Sequence, residues 1–354
     1  MDKTEEELVS IRKQAKRMIE LIYGNWQTCV TYTFAELNIA GLLILSPQSA
    51  AALAAKTDTN KHALARFLRC AATLGFIQWD SRADTYALTS LGELLHEDHP
   101  QSLRAAARLN GAAYRYQPWG HLVEILKRGS SAGIAPTFGR GTLDYLADKP
   151  TELDVFHQAM TDLSALEDQA IINAYDFSPF KQMIDIGSGH GEFIKAVLRE
   201  FVQLHGTMFD LPQTFAVINL PGADEFDGRL TQQTGDFFVT IPTHGDLYVM
   251  KNVIHNWPKR KVLRLLKNVS EAMSSAATPT PKTKKRLLII EHLITEEDHT
   301  AKWLDLNFMI LVDGRERTLD EYRSLAGQAG FAICQVITTH VGRSIIEFSL
   351  ANLQ

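Results

Sequence analysis

The stretch Met183-Ile-Asp-Ile-Gly-Ser-Gly-His-Gly191 decides the fold of this chain. Its apolar first residues are typical of a buried strand, and the alternate glycines that follow are typical of a tight turn. The next segment, from Glu192 to Phe201, has the pattern of a helix. Strand, glycine turn and helix in this order form the opening of a nucleotide-binding α/β unit.

The spacing of the glycines separates this turn from a dinucleotide-binding loop. Dinucleotide folds use Gly-x-Gly-x-x-Gly, whereas Gly187, Gly189 and Gly191 alternate. Glycine at alternate positions lets a ligand lie close to the backbone. Asp185 places a carboxylate near the turn, which suits a ligand with a positive end better than a phosphate. S-adenosylmethionine has such an end.

Strands and helices alternate from residue 181 onward, which predicts a doubly wound, Rossmann-like α/β sheet. The predicted strands are 183–186, 205–209, 230–233, 247–250, 287–291 and 332–336, and the most regular helices are 259–273 and 319–329. The segment from Ser274 to Lys285 is rich in Ser, Thr, Pro, Ala and Lys, which predicts an exposed loop.

The first hundred residues predict a mostly helical, winged-helix-like domain. Helices at 8–22, 30–37, 49–56 and 61–74 precede a hairpin at 76–88. One interpretation is DNA binding through Lys61 to Cys70, and the other is dimerisation. Acidic residues around the hairpin disfavour contact with phosphates. We therefore expect a dimerisation domain at 1–105, followed at 106–354 by a helical linker region and the Rossmann-like catalytic domain.

Bulk composition excludes several classes of protein. The 354 residues carry a formal net charge of −5, with 45% hydrophobic and 22% charged residues, which are globular values. A general nucleic-acid or anionic-membrane binder would be basic, and no apolar run is long enough to cross a bilayer. The acidic N-terminus lacks the core of a signal peptide. These features predict a cytoplasmic protein without nucleic-acid or membrane partners.

Cysteine and histidine positions predict no metal site. Cys29, Cys70 and Cys334 are isolated and lie in apolar contexts, so we expect reduced core residues. The histidines outside the motifs are scattered, without the spacing of a helix-borne zinc pair.

Acidic and basic residues follow the later strands. Asp210, 19 positions after Gly191, ends the second strand and can accept the ribose hydroxyls of an adenosine group, as in NAD enzymes. Asp236 can take the adenine amino group while Phe237 covers the ring, although a turn or helix cap is the alternative. Lys251 ends the fourth strand, where the alternative is a surface lysine.

Six segments occur in an order that resembles a known enzyme family. They are Asp185-Ile-Gly-Ser-Gly-His-Gly191, Phe209-Asp-Leu-Pro212, Gly235-Asp-Phe-Phe238, Lys251-Asn-Val-Ile-His-Asn-Trp257, Ile290-Glu291 and Gly314-Arg-Glu-Arg-Thr318. The ordered set closely resembles the dimeric small-molecule O-methyltransferases, which include caffeic-acid, flavonoid, acetylserotonin and bacterial antibiotic-tailoring enzymes. The resemblance extends over essentially the whole chain.

This resemblance implies the cofactor, the partner and the contact residues. The cofactor is S-adenosyl-L-methionine, with S-adenosyl-L-homocysteine as product, and the chain forms a homodimer through its N-terminal domain. The implied cofactor contacts are Gly187, Gly189, Asp210, Leu211, Asp236, Phe237, Lys251 and Ser164. The implied contacts to a small aromatic substrate are Phe156, Met160, Trp257, Asn307 and Phe308.

Methyl transfer to a phenol needs a base. A phenol is mostly protonated at neutral pH, so a positioned base contributes about 10²–10⁴-fold. His255, just past a strand end, is the candidate, and Glu291 or Glu316 could orient its ring and stabilise the imidazolium. The alternative makes His255 a helix-boundary residue and pairs Glu316 with Arg315 or Arg317.

The run His255-Asn-Trp-Pro-Lys259 departs from the family's usual His-Asp-Trp-x-Asp. The missing acids remove capping or charge partners but not the base, and Pro258 suits the start of a helix. We therefore still expect methyl transfer.

Other activities remain as alternatives. The same fold and cofactor also serve C- or N-methylation, and some family members are decarboxylases, hydroxylases or pericyclases. A nicotinamide dehydrogenase and a winged-helix regulator that senses S-adenosylmethionine are further alternatives. Calorimetry with S-adenosylhomocysteine and NAD tests for the dehydrogenase, and a DNA-binding assay tests for the regulator.

Overall fold

A computed structural model of the chain describes residues 5–129, 145–146, 149–216, 225–275, 284–311 and 314–351. The chain divides into two compact units, one of residues 1–117 and 146–163 and the other of residues 118–145 and 164–354. The boundary at residue 105 stays a prediction. Most of the predicted loop from Ser274 to Lys285 lies outside the described residues.

The first unit contains the helices and the hairpin of the winged-helix pattern. Its elements are α1 Glu5–Ile22, α2 Gly24–Glu36, α3 Ile39–Leu43, α4 Ala50–Lys56, α5 Lys61–Thr73, β1 Ile77–Asp80, β2 Thr85–Leu88, α6 Ser90–Glu93, α7 Arg104–Gly111 and α8 Ala113–Tyr116. Ser49 and Asn60 accept backbone hydrogen bonds at the starts of α4 and α5, which explains why the two helices begin there. The predicted helix at 30–37 begins earlier, at Gly24.

The second unit contains the α/β sheet. A 3₁₀ turn, Gln117–His121, begins at the last residue of the first unit and continues into the second. The other elements of the second unit are α9 Leu122–Arg128, β3 Gln182–Ile186, α11 Glu192–Glu200, β4 His205–Asp210, α12 Pro212–Ala216, β5 Leu230–Thr234, β6 Leu247–Lys251, a 3₁₀ turn Ile254–Asn256, α13 Lys259–Ser274, β7 Arg286–His292, α14 His299–Leu311, α15 Leu319–Gln328, β8 Phe331–Thr338 and β9 Arg343–Leu350. The helix α10, Pro150–Ala174, begins in the first unit and ends in the second.

The sheet has seven strands in the order β5-β4-β3-β6-β7-β9-β8. The first five strands are parallel, and β9 is antiparallel to both neighbours. The doubly wound prediction is confirmed, and all six predicted strands are present, but the sequence analysis missed β9. A short hairpin joins β8 to β9, and this connection breaks the strand–helix alternation on which the prediction relied.

Apolar side chains cover both faces of the sheet, as the doubly wound architecture requires. Leu265 and Leu266 of α13 pack on one face, and Val197 and Leu198 of α11 pack on the other. Because the first five strands are parallel, their carboxyl ends lie at one common edge, where ligands bind in open α/β sheets. The residues described include no helix that is long and apolar enough to span a membrane.

The prediction that the cysteines belong to the core was wrong. Cys29, Cys70 and Cys334 are all exposed. They lie on the outward sides of α2, α5 and β8, where apolar sequence neighbours turn toward the core and the cysteine turns away from it.

Candidate active site

The glycine turn after β3 needs its glycines for two different reasons. Gly187, Gly189 and Gly191 have φ angles of +72°, +54° and +75°, which side chains disfavour. A Cβ atom on Gly191 would lie 2.4 Å from Met208, so this glycine permits close packing. A Cβ atom on Gly189 would meet nothing within 4 Å in the described structure. The backbone at Gly189 is therefore open to a ligand.

Asp210 connects the end of β4 to this turn. Its Oδ2 accepts a hydrogen bond from the Gly189 N–H at 2.9 Å, and its Oδ1 accepts from the Leu211 N–H at 2.7 Å and the Thr214 hydroxyl at 3.0 Å. A carboxylate has about four acceptor sites. Asp210 thus fixes the turn and keeps capacity for a hydroxyl donor.

The segment after β5 supplies an exposed acid and an aromatic cluster. Asp236 Oδ1 accepts a hydrogen bond from the Phe238 N–H at 2.8 Å, which is the turn interaction considered as the alternative. The ring of Phe237 lies 3.7 Å from the position of a Cβ atom on Gly187. Phe237 also packs against Trp257, with ring centroids 6.1 Å apart. An apolar wall therefore borders the glycine turn.

Lys251 is buried in an ion pair and is not a surface lysine. Its Nζ lies 2.7 Å from Asp168 Oδ1 and also contacts the Ser164 hydroxyl. Burial raises the pKa of Asp168, and Lys251 opposes this rise. Burial likewise raises the pKa of Asp185, beneath the glycine turn, to about 7. Asp168 was missed by the sequence analysis, because its partner is distant along the chain.

His255 is hydrogen-bonded to Glu291. The two side chains are buried, and the distance from His255 Nδ1 to Glu291 Oε2 is 2.7 Å. Burial favours the neutral form of Glu291, but its contacts with His255 prevail and hold its pKa below the ordinary value. An ionised Glu291 requires the proton on Nδ1, so Nε2 of a neutral ring is left as a proton acceptor.

Glu316 does not occupy an equivalent position. It is fully buried, and neither carboxyl oxygen has a hydrogen-bond partner among the described residues. Burial and the nearby Glu291 raise the pKa of Glu316 to about 9, so this side chain is neutral at physiological pH. The alternative pairing with Arg315 or Arg317 is not found, because Arg315 binds Glu321 and Arg317 binds backbone carbonyls.

The predicted substrate residues fall into two groups. Phe308 stacks on the imidazole of His255, with centroids 4.2 Å apart and planes 11° apart, and Asn307 precedes it on α14. Trp257 follows the turn that carries His255. Phe156 and Met160 lie in the part of α10 that belongs to the first unit, and their role stays a prediction.

The residues around the glycine turn fit an adenosine-type cofactor. The Ser188 hydroxyl is buried, and no residue within the described ranges accepts a hydrogen bond from it or donates one to it. This orphaned group lies beside the open backbone of Gly189, so it suits a ligand that brings polar atoms.

Metal ligation is a weaker use of the site. His255, Glu291 and Glu316 offer ligand atoms within 4.8 Å of one another. A metal would displace the hydrogen bond between His255 and Glu291 and require Glu316 to ionise. The group therefore suits proton transfer better, and the absence of a metal stays a prediction.

Comparison with known proteins gives two family matches. Residues 119–332 match the O-methyltransferase domain, and residues 19–98 match the O-methyltransferase dimerisation domain. The second match supports the dimerisation interpretation of the N-terminal domain over DNA binding.

Individual relatives match over most of their length. The chain is 33% identical to the phenazine O-methyltransferase PhzM of Lysobacter antibioticus, a match that covers 93% of this chain and 94% of that protein. The structure of CalO1, a methyltransferase in calicheamicin biosynthesis in its SAH-bound form, has a TM-score of 0.81 at 27% identity and covers 99% of this chain and 100% of its own. The aclacinomycin 10-hydroxylase RdmB of Streptomyces purpurascens is 29% identical, with coverage of 90% and 84%.

Proposed function

This chain belongs to the O-methyltransferase family of secondary-metabolite tailoring enzymes, and from this premise we propose that it methylates a phenolic hydroxyl of a small aromatic molecule. S-adenosylmethionine is the donor and His255 is the general base. The hydrogen bond between His255 and Glu291 carries the proposal, because it leaves a buried imidazole with one nitrogen able to take a proton.

The glycine turn and the strand ends beside it would hold the cofactor. The open backbone at Gly189 and the spare acceptor sites of Asp210 suit the ribose, and Asp236 with Phe237 suits the adenine. When bound, S-adenosylmethionine supplies a methyl group on a positively charged sulfur. Ser188 contributes the orphaned hydroxyl of this site.

His255 removes the proton of the acceptor hydroxyl. The phenol O–H bond breaks as its proton goes to Nε2, and the oxygen keeps the electron pair that forms the new bond to the methyl carbon. The bond from that carbon to sulfur would break at the same time, with its electron pair remaining on sulfur, so that S-adenosylhomocysteine would be the leaving group. The imidazolium that results is stabilised by the ionised Glu291 at 2.7 Å. The attraction within a buried ion pair of this kind is stronger than in water.

Aromatic surroundings support an aromatic acceptor. Phe308 stacks on the base, and Phe237 and Trp257 form the wall near the glycine turn. Flat apolar surfaces favour a flat ring, with offset stacking worth roughly 0.5–1.5 kcal/mol per pair. The name of PhzM, a phenazine O-methyltransferase, agrees with this substrate class.

Incubation with methyl-labelled S-adenosylmethionine and a panel of phenols, phenazines, polyketides and tyrosine derivatives tests the proposal. We expect one labelled methyl group on an acceptor oxygen, located by mass spectrometry and NMR. Label on carbon or nitrogen, or an oxygenated product without label, would favour the alternative activities of this fold.

His255→Ala tests the base separately. We expect turnover to fall by about 10²–10⁴-fold, while calorimetry still detects S-adenosylhomocysteine. Full activity in this variant would disprove the role of His255 without touching the proposed reaction.

A further inference from the structure

The turn that carries His255 is held from its N–H side by Glu291. Besides binding the ring, Glu291 accepts hydrogen bonds at Oε1 from the Ile254 N–H at 2.9 Å and the His255 N–H at 3.4 Å. One carboxylate therefore fixes both the ring and the start of the turn. These contacts leave the carbonyl groups of the turn to be satisfied from elsewhere.

The carbonyl side of the turn is held by the loop before α15. The guanidinium of Arg317 donates to the Ile254 carbonyl at 3.1 Å and to the Trp257 carbonyl at 2.7 Å. The carbonyl of His255 itself accepts a hydrogen bond from the Arg315 backbone N–H at 2.8 Å. The two carbonyls bound by Arg317 thus lie on either side of the base.

Arg317 is itself rigidly placed. Its side chain is among the largest fully buried ones, at 2% exposure. Its backbone carbonyl accepts the Ile294 N–H at 3.1 Å just beyond β7, so the residue is anchored next to the strand that carries Glu291. Glu291 and Arg317, which both bind the turn, therefore lie at the same edge of the sheet.

The charge of Arg317 needs an explanation beyond packing. Its nearest carboxyl group in sequence, Glu316, is neutral at physiological pH, and its guanidinium donates hydrogen bonds to the carbonyl oxygens of Ile254, Arg315 and Trp257. Burying a guanidinium without a close carboxylate is costly. A planar fork can bind two carbonyls at a fixed separation, whereas an ammonium cannot reproduce this geometry.

We propose that Arg317 is the positioning residue of the base, fixing the turn 254–257 so that His255 and Trp257 keep their places relative to Glu291 and to the aromatic wall. The inference rests on the proposed role of His255. Arg317 contacts neither cofactor nor acceptor in this scheme and acts only through the backbone of the turn.

Trp257 extends this effect to the cofactor side. Its ring packs against Phe237 and Phe238 at centroid distances of 6.1 and 4.9 Å, and Lys261 lies 4.3 Å above it. The hydrogen bond from Arg317 to the Trp257 carbonyl therefore links the base to the wall beside the glycine turn. Displacement of the turn would move His255, the base that acts on the methyl acceptor, but would leave the glycine turn and Asp210 in place.

The variants Arg317→Lys and Arg317→Met test the proposal, with Arg286→Met as the matched control. Arg286 is a partly buried arginine at the start of β7, paired with Glu347 at 2.7 Å and far along the strand from the base. Its loss should lower thermal stability and leave kcat unchanged. Arg317→Lys keeps the charge and removes only the fork.

Three measurements separate positioning from mere stability. With the best acceptor of the panel, we expect kcat of Arg317→Lys to fall about 10²-fold, the size expected for a displacement of about 1 Å, with little change in KM for S-adenosylmethionine. Calorimetry should give a nearly unchanged affinity for S-adenosylhomocysteine. Nitrogen-15 NMR of the histidine rings, assigned with His255→Asn, should show that the proton of His255 is no longer held on Nδ1.

The NMR result stands without any acceptor, so it is distinct from a failure of the proposed function. Unchanged kcat and an unchanged His255 ring signal in folded Arg317→Lys would overturn the proposal. So would a parallel loss of kcat, cofactor affinity and thermal stability in both Arg317 variants, because Arg317 would then be structural only.

Discussion

Replacement of Glu316 by glutamine gives the sharpest test of the electrostatics at this site. Glu316 is fully buried, and burial together with Glu291 raises its pKa to about 9. The neutral form is therefore favoured in the folded protein near neutral pH. Glutamine has almost the same shape and is always neutral, so Glu316→Gln imitates the protonated form.

The sign of the pH effect follows from proton binding. Between the ordinary glutamate pKa near 4.3 and the folded value, the folded protein holds one proton on Glu316 that the unfolded chain has lost. The stability from burying the neutral acid is complete below the unfolded pKa and is lost as the pH rises toward the folded one. Each pH unit in this window lowers the free energy of unfolding by about 1.4 kcal/mol.

Glu316→Gln does not lose this stability as the pH rises, because glutamine does not titrate. The free energy of unfolding of Glu316→Gln, minus that of the wild type, should therefore rise by roughly 2.5 kcal/mol between pH 6 and pH 8. Denaturant unfolding at fixed protein concentration measures both proteins at each pH, and their difference cancels the titration of groups distant from this site.

Glu297→Gln is the matched control, because Glu297 is exposed and should give a difference that does not change with pH. Parallel stability curves for the wild type and Glu316→Gln over this range would refute a neutral Glu316. In that case the Glu316 carboxyl group is ionised in the folded protein, and its burial and the charge of Glu291 do not raise its pKa enough to keep it neutral.

Three further substitutions test other parts of the site. Lys251→Met leaves Asp168 buried without its partner and should cost about 3–5 kcal/mol of unfolding free energy, whereas the double variant with Asp168→Leu should recover part of this loss. Gly191→Ala should destabilise the protein by roughly 1–3 kcal/mol more than Gly228→Ala. Both glycines have a φ of +75°, but only a Cβ atom on Gly191 would meet Met208. Equal effects of the two substitutions in thermal unfolding would contradict this packing. Asp210→Ala should weaken S-adenosylhomocysteine binding in calorimetry, since it releases the Gly189 N–H, and unchanged affinity would count against the proposed ribose site.

Parallel strands explain why the sequence located much of the site. Once the glycine turn ends β3, the ends of β4, β5, β6 and β7 must lie along the same edge, in the order that the doubly wound pattern dictates. Asp210 and Lys251 end two of these strands and Asp236 follows a third, so their approximate positions need no knowledge of side-chain contacts. The common direction of the parallel strands was therefore sufficient to predict where these three residues lie.

Contacts between distant segments lay beyond this reasoning. Asp168 lies in the middle of a long helix, and nothing in its neighbourhood indicates that it pairs with Lys251. The hydrogen bonds of Arg317 to the turn of His255 join residues 60 and 63 positions apart. The partner of a buried charge depends on the packing of whole elements, which a pattern of apolar residues does not specify.

The two glutamates show the same limit in their protonation. From spacing alone either could orient the ring of His255, and both come from loops or strand ends at the same edge. Glu291 accepts two backbone N–H groups and the imidazole, which favours its charged form, whereas Glu316 receives no such donors within the described residues and faces the charge of Glu291. Two buried carboxyl groups so close together cannot both ionise cheaply, so the donors decide which one carries the charge. The site thus contains one negative charge next to the base, which can stabilise an imidazolium, and a second carboxyl group that burial and Glu291 keep neutral near neutral pH.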